Sequence, residues 1–453
     1  MSSSPTTDEV DSVLAKELNL LSFRDRTRIQ EEIHGVQFVS VEETPEKIET
    51  SLAELEQEIQ KIRPKPAYDE AAAANSHWVL RDKSFRLQFL RADLFDAKRA
   101  AGRMVAHLEL RRKFLGHYAL HRPMRFFDLS ESDVAALRSG SVQILPSRDR
   151  AGRLIKFSEP EGDADETSTI SNIRRHLYQA DILAEDIETQ RKGYVLVFVA
   201  RSDLRSLLSE EKDLRMFAGL VRAHSIRLSA IHIFLPTNQQ ALQFLRNILV
   251  FSLASSKERV RIRFYTGLSM ENQYQLMSYG IPINDLPMSS SLTVKTKNHL
   301  QWVRTRIAFE KALEAGRDTS SWILQPGVHD ILFSRGGNPQ NQGNIDFRHM
   351  IEPKLDAYFS TSGRKIKKKL RDELIAEIES FNGRFLELDK EGGWWMEITN
   401  QDVLHEKINA AFYHQKKRVD ARRNFQEIGS DTNKFLDGNK RQKLGRDGTF
   451  WCG

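Results

Sequence analysis

KGYVLVFVAR, Lys192 to Arg201, is the stretch whose reading decides the fold. Tyr194 to Ala200 is the longest purely apolar run in the chain, rich in β-branched and aromatic residues and bounded by Gly193 and Arg201. Such a run predicts a strand covered on both faces. Working outward, SAIHIFLP (229–236) and VRIRFYTG (260–267) repeat the pattern with helical stretches between them. Strand, helix, strand at these intervals predicts a mixed or parallel sheet with helical crossovers. Upstream, SGSVQILPSRDRAGRLIKF (139–157) alternates apolar residues on either side of SRDRAG, where Asp149 and Gly152 suit a tight turn. An acidic loop (EPEGDADET) and a helix over about Ile170 to Gln190 follow. Gln239 to Ser255 is apolar on nearly all sides, so Leu242, Phe244, Leu245, Ile248 and Leu249 need cover. They pack against neighbouring helices, or one face lines a cavity.

The flanks read differently. Val10, Val13, Leu14, Leu18 and Leu21 form the stripe of an amphipathic helix over 8–34 that ends near Gly35. A second helix spans about Pro45 to Lys61, and Pro64 and Pro66 then mark a linker. Helical periodicity runs from Trp78 to Phe114. Residues 290–325 read as a connector with one modest helix, Leu300 to Ala315. Near Gln325 the texture changes to a glycine- and asparagine-rich loop. After it come a helix striped by Ile366, Leu370, Leu374, Ile378 and Phe381, a strand at GGWWMEIT and a closing helix, Gln401 to Arg418. Beyond Arg423 the chain reads as a disordered tail. The predicted class is α/β: a helical extension and linker (1–75), a helical subdomain (76–125), a mixed-sheet domain (126–290), a connector (291–324), a small α+β domain (325–418) and a basic tail (419–453).

Composition narrows the function. The 453 residues are 40% apolar, so a sizeable core can form. The net charge of +6 conceals an acidic front, since residues 1–60 carry 5 Lys and Arg against 14 Asp and Glu. From Lys407 onward, 11 basic side chains face 5 acidic ones. Cys452 is the single cysteine, which leaves no disulfide, no cysteine zinc site and no buried thiol nucleophile. No run approaches the length of a membrane span and no secretory signal is visible, so a reducing, cytoplasmic location is expected, with peripheral membrane association and the nucleus also open. His117 and His121 stand four apart without a third ligand, and His232 sits inside a buried strand. There is no G-x-S-x-G elbow, and no G-K-[ST] follows the glycines at 336–337. The reading is a non-enzyme with no metal and no cofactor.

Phe89 to Phe114, FLRADLFDAKRAAGRMVAHLELRRKF, resembles the N-terminal helical subdomain of the CRAL-TRIO lipid-binding proteins. The resemblance continues through the D-x-x-G-R turn at Asp149–Arg153 and the three apolar strands to Asp285-Leu286-Pro287-Met288, covering roughly 76–288. It implies a mixed sheet as the floor of an apolar pocket, roofed by a mobile gate helix. Tyr194, Leu196, Phe198, Ile231 and Ile233 would form the floor, and Leu242, Phe244, Leu245, Ile248 and Leu249 the gate. The ligand implied is a phospholipid or other hydrophobic small molecule, with Arg227, Arg261 and Arg263 as headgroup candidates. The chain departs from the pattern at Ser225-Ile226-Arg227, where the family's phosphoinositide binders have P-E-R, at Ile262 in place of a lysine, and after Pro287, where Gly-Gly is absent.

A second resemblance lies in Asp330–Gly337, Asn341–Arg348, Gly383–Leu386 and Trp395–Glu397, which are similar to an uncharacterised module frequent in algal proteins. Asn382 replaces a glycine there and can still adopt the left-handed conformation. The free amides of 334–344 with Arg335 and Arg348, and the cations Lys365, Lys368 and Lys369, suggest a surface for an anionic partner: acidic membrane, nucleic acid or protein. Against this, Asp330 and Glu352 stand ready to pair with the arginines, and the glycines to serve turns. Two functions follow: binding or transfer of a hydrophobic molecule, or an adaptor with a degenerate pocket that acts through its basic C-terminal domain.

Overall fold

A computed structural model describes residues 7–159, 166–200, 219–235, 259–267, 269–288, 293–334, 341–389 and 391–443. The chain forms two compact units: residues 1–328 with 390–394, and residues 329–389 with 395–453.

The first unit begins with α1 (Thr7–Leu20) and α2 (Phe23–Ile33), not one continuous helix. Ser22 interrupts the run because its hydroxyl accepts from the Asp25 amide and starts a new helix. Then come α3 (Pro45–Lys61), α4 (Pro66–Ala73), α5 (His77–Leu80), α6 (Lys83–Ala92) and α7 (Ala97–Leu115). The expected linker is therefore a helix. Pro66 occupies its first turn, where no amide hydrogen is needed, and Ala67, Tyr68 and Ala71 are buried. These residues share a core with Leu55 and Ile59 of α3, Phe89 and Leu90 of α6 and Met104 and Leu108 of α7. The segment from Pro45 is thus part of the helical layer and not an extension of it.

After α8 (Glu131–Arg138), β1 (Val142–Arg148) and β2 (Leu154–Ser158) pair antiparallel through the expected turn. The Gly152 amide donates to Asp149 O, with Gly152 at φ 82°. Helices α9 (Glu166–Glu185) and α10 (Ile187–Lys192) lead to β3 (Tyr194–Val199), β4 (Leu228–Leu235) and β5 (Ile262–Thr266). The sheet order is β1-β2-β3-β4-β5, with β2 to β5 parallel. The mixed sheet read from the three apolar runs is present. One face carries Phe157, Val195, Val197, Phe234 and Tyr265, closed by Ile33 of α2, by Leu276 of α11 (Met270–Ser278) and by Leu286. The helix α12 (Lys297–Glu314) is no loose connector: Val303 and Trp302 pack with Met124, Leu137 and Tyr178. Arg306 bridges Glu185 at 2.5 Å and Glu310 at 2.6 Å, and the Tyr178 hydroxyl donates to Glu310.

In the second unit β6 (Ile331–Phe333), β7 (Phe385–Leu388) and β8 (Trp395–Glu397) form a sheet, parallel then antiparallel. It packs with α13 (Gln342–Ile351), α14 (Leu355–Ser360), α15 (Arg364–Ser380) and α16 (Gln401–Lys443) around Phe347, Leu374, Ile378, Phe385 and Phe412. The strand expected at GGWWMEIT starts only at Trp395; Trp394 instead stacks on Trp322 of the first unit at 3.5 Å between centroids. The tail expected to be disordered continues α16 as helix to Lys443, and 419–443 contains no proline to stop it.

Candidate functional site

In a parallel pair, side chains at matched positions leave the sheet on the same face. Register therefore assembles Lys156, Leu196, Ile231 and Ile262 in one row and Phe198, Ile233 and Phe264 in the next. The expected floor residues Tyr194, Leu196, Phe198, Ile231 and Ile233 share this face, opposite the one closed by α2 and α11. Tyr194, Ile231 and Ile233 are buried, while Leu196, Phe198 and Phe264 are only half-buried. Tyr194 and Leu196 also meet Leu183 of α9 and Ile226. The expected gate residues Leu242, Phe244, Leu245, Ile248 and Leu249 lie outside the described residues.

The headgroup arginines sit elsewhere. Arg263 alternates with Ile262 and Phe264, so it leaves the sheet on the α2 side, where its Nη2 donates to Gln30 Oε1 at 3.0 Å. Arg227 Nη1 donates to Glu32 Oε1 at 2.5 Å, and Arg261 pairs with the other oxygen of the same carboxylate. Glu32 is fully buried, and the Val39 amide donates to it at 3.0 Å. Burial alone would push this carboxyl up, but the charges of Arg227 and Arg261 outweigh it and hold Glu32 below the usual carboxylate range. The carboxylate that meets Arg227 thus comes from α2, 195 positions upstream. The structure does not bring the arginines to the floor residues; it gives them to the N-terminal segment.

The apolar face carries a group that sequence reasoning missed. Lys156, 3% exposed, stands in the middle of LIKF and presents Nζ 3.4 Å from Nδ1 of His176 on α9. The His176 ring meets His224 edge-on at 5.1 Å, and His224 lies 5.0 Å from the Tyr194 ring. Burial and the Arg175 charge push Lys156 down to about 7, and both histidines are pushed well below their ordinary value. An isolated lysine in an otherwise apolar strand was the only signal available, and it points outward in most strands.

His232 is buried and held by the Tyr265 hydroxyl at 2.9 Å, a core histidine as expected. His117 pairs with Glu70. Among the described residues no group of three His, Cys, Asp or Glu could hold a metal, and no helix is long and apolar enough to cross a membrane.

In the second unit the motif residues build the fold. Asn344 clamps Leu332 of β6, accepting from its amide at 2.7 Å and donating to its carbonyl at 2.9 Å. Asn341 donates to Asp330 O. A side chain on Gly343 would sit 2.4 Å from Asp330 O, so only glycine lets α13 approach that backbone. Asn382 adopts φ 56°, the left-handed conformation expected of it. Asp330 pairs with Arg384 at 2.8 Å, and Glu352 with Gln415 and Arg422. Arg348 is half-buried, and burial with the nearby Arg418 charge lowers its pKa. Lys365, Lys368 and Lys369 are exposed on α15, with Lys369 3.9 Å from Glu373. Arg335 lies outside the described residues.

Residues 330–414 match the family described as Domain of unknown function (DUF6824). No curated protein matches the chain.

Proposed function

We propose that the protein binds or transfers a lipid or other hydrophobic small molecule in an apolar pocket, without catalysing a reaction. The supporting observation is the face on which Leu196, Phe198, Ile231, Ile233, Ile262 and Phe264 gather across β3, β4 and β5, with Leu196, Phe198 and Phe264 incompletely buried. Each methylene of a ligand removed from water onto such a surface contributes roughly 0.8 kcal/mol. The likeness to CRAL-TRIO proteins over 76–288 agrees with the order of elements: helical layer, D-x-x-G-R hairpin, then parallel strands. A cytoplasmic location with transient membrane contact follows from this reading.

The test is mass spectrometry of lipids extracted from the purified chain, with uptake from phosphatidylcholine vesicles. Stoichiometric lipid is expected. Its absence together with no uptake overturns the proposal. Leu196→Asp should abolish loading while circular dichroism stays unchanged, because a carboxylate on an apolar face resists burial.

One observation favours the second reading, an adaptor: Gln30 and Glu32 already engage all three headgroup arginines. On that reading the exposed Lys365, Lys368 and Lys369 would meet an anionic partner. Retained lipid argues for the first reading; binding to acidic vesicles or RNA without any lipid load argues for the second.

A further inference from the structure

Among buried cations of the first unit, Lys156 differs from Arg111, Arg153, Arg227 and Arg306, each of which holds a carboxylate. Among the described residues its one hydrogen-bond partner is His176 Nδ1; a charged Lys156 can only donate there, which places the ring proton of His176 on Nε2. His224 Nδ1 lies 3.1 Å from the Ile226 amide and 3.0 Å from the Ile226 carbonyl oxygen, so Nδ1 has a partner in either tautomer and Nε2 is free to carry the proton. Both Nε2 atoms are buried and have no hydrogen-bond partner among the described residues. With both rings protonated at Nε2, the cluster presents a set of donors: the remaining N–H bonds of a charged Lys156 and two imidazole N–H groups. A buried donor left unmade is costly, and a set of them is complementary to an oxygen acceptor with several lone pairs.

Resting on the reading that this sheet face takes a hydrophobic molecule, we propose that Lys156, His176 and His224 form the seat for an anionic oxygen headgroup on that molecule, best matched by the carboxylate of a long-chain acid. One ammonium balances one negative charge, and four lone-pair positions on a carboxylate meet the available donors. Lys156 occupies the same row as Leu196, Ile231 and Ile262, so a chain extending from the headgroup would run across apolar side chains.

Binding would also restore the lysine charge. Unliganded Lys156 is pushed down to about 7 by burial and Arg175, and a carboxylate beside it raises it again. Its charged and titratable surroundings are Arg175 and His176 on α9, His224 before β4 and Tyr194 on β3. His107 of α7 acts on both histidines, and Arg103 on His224. Oleate affinity should therefore strengthen as pH falls from about 8 to 6, a range in which the free acid stays ionised.

The experiment compares oleate, methyl oleate and dioleoyl phosphatidate, each titrated into the delipidated full chain by calorimetry in buffers of different ionisation enthalpy. Oleate should bind roughly tenfold or more tightly than its ester, as a charge-assisted contact gives, with net proton uptake near pH 7.5 that the ester lacks. Lys156→Met should bring oleate down to the ester's affinity in the wild type. The wild-type comparison and its proton uptake stand even if that variant does not fold. A preference for phosphatidate over the ester that Lys156→Met erases supports the site and assigns it to phosphate. Equal binding of oleate and ester, without proton uptake, overturns the site while leaving hydrophobic binding intact. Binding of none of the three overturns both.

Discussion

The two faces of the five-stranded sheet treat buried positive charge in opposite ways. On the α2 side, Arg227 and Arg261 share the two oxygens of Glu32, and Arg153 pairs with Asp149 at 2.5 Å while donating to the Glu32 carbonyl. On the other side, Lys156 has a neutral histidine and no carboxylate among the described residues acting on it. A completed ion network holds an element in place, whereas an uncompleted one stores a demand for a counterion. The first arrangement is complete within the fold, whereas the second has no counterion among the described residues.

That contrast is open to direct attack. Removing Glu32 should do the most damage, since Glu32→Ala leaves two buried guanidinium groups without their acid. A loss of about 3–5 kcal/mol in urea unfolding is expected, because breaking one side of a buried pair strands the other. The pH dependence gives the sign independently. Glu32 is held below its ordinary value of 4.5, so its stabilisation is complete above that pH and drains away as pH falls through the folded value. Glu32→Gln should flatten that acid limb. If Glu32→Ala unfolds like the wild type, the α2 face is not the architectural one.

Lys156→Met should move stability the other way. A lysine lowered from 10.5 to about 7 costs nothing above the higher value; the cost builds as pH falls and is complete below the lower one. Near neutral pH the variant is expected to gain on the order of 2 kcal/mol in thermal or urea unfolding, methionine filling the same space without a charge. Destabilisation by a similar amount would mean that Lys156 has a structural partner and would erase the difference between the faces.

The smallest effect belongs to cations that neither face buries. Reversing Lys365, Lys368 and Lys369 to Glu should change unfolding by no more than about 0.5 kcal/mol, as exposed charges do. Any affinity of the full chain for RNA or acidic vesicles should fall with it and lose its salt dependence, since each phosphate contact releases a counterion. A large stability change would show that α15 is braced by these lysines.

The strands were the most legible part of the fold. Tyr194–Val199, Leu228–Leu235 and Ile262–Thr266 are continuous or nearly continuous apolar runs, and the Asp149–Gly152 turn announces itself by residue type. Helix α4 was hidden because Pro66 reads as a breaker wherever its place within the helix is unknown. The Glu32 network was beyond sequence reach, since its partners lie 195 and 229 positions away and nothing local distinguishes Glu32 from its neighbour Glu31. The floor residues could be read from period two, but which arginines share their face depends on register, and register placed Arg263 on the opposite side. In the second unit the conspicuous glycines and asparagines suggested a binding loop; Asn344 and Gly343 spend that chemistry on β6 and on the Asp330 backbone.

The span between Glu32 and its partners also has a temporal side. During synthesis the acid emerges 195 residues before Arg227 and 229 before Arg261. At roughly 5–20 residues per second, about 10–45 s pass before the second arginine exists. Throughout that interval the Glu32 carboxylate lacks at least one of the two arginines that pair with it in the fold. Full pairing of that carboxylate therefore waits for the residue that immediately precedes β5.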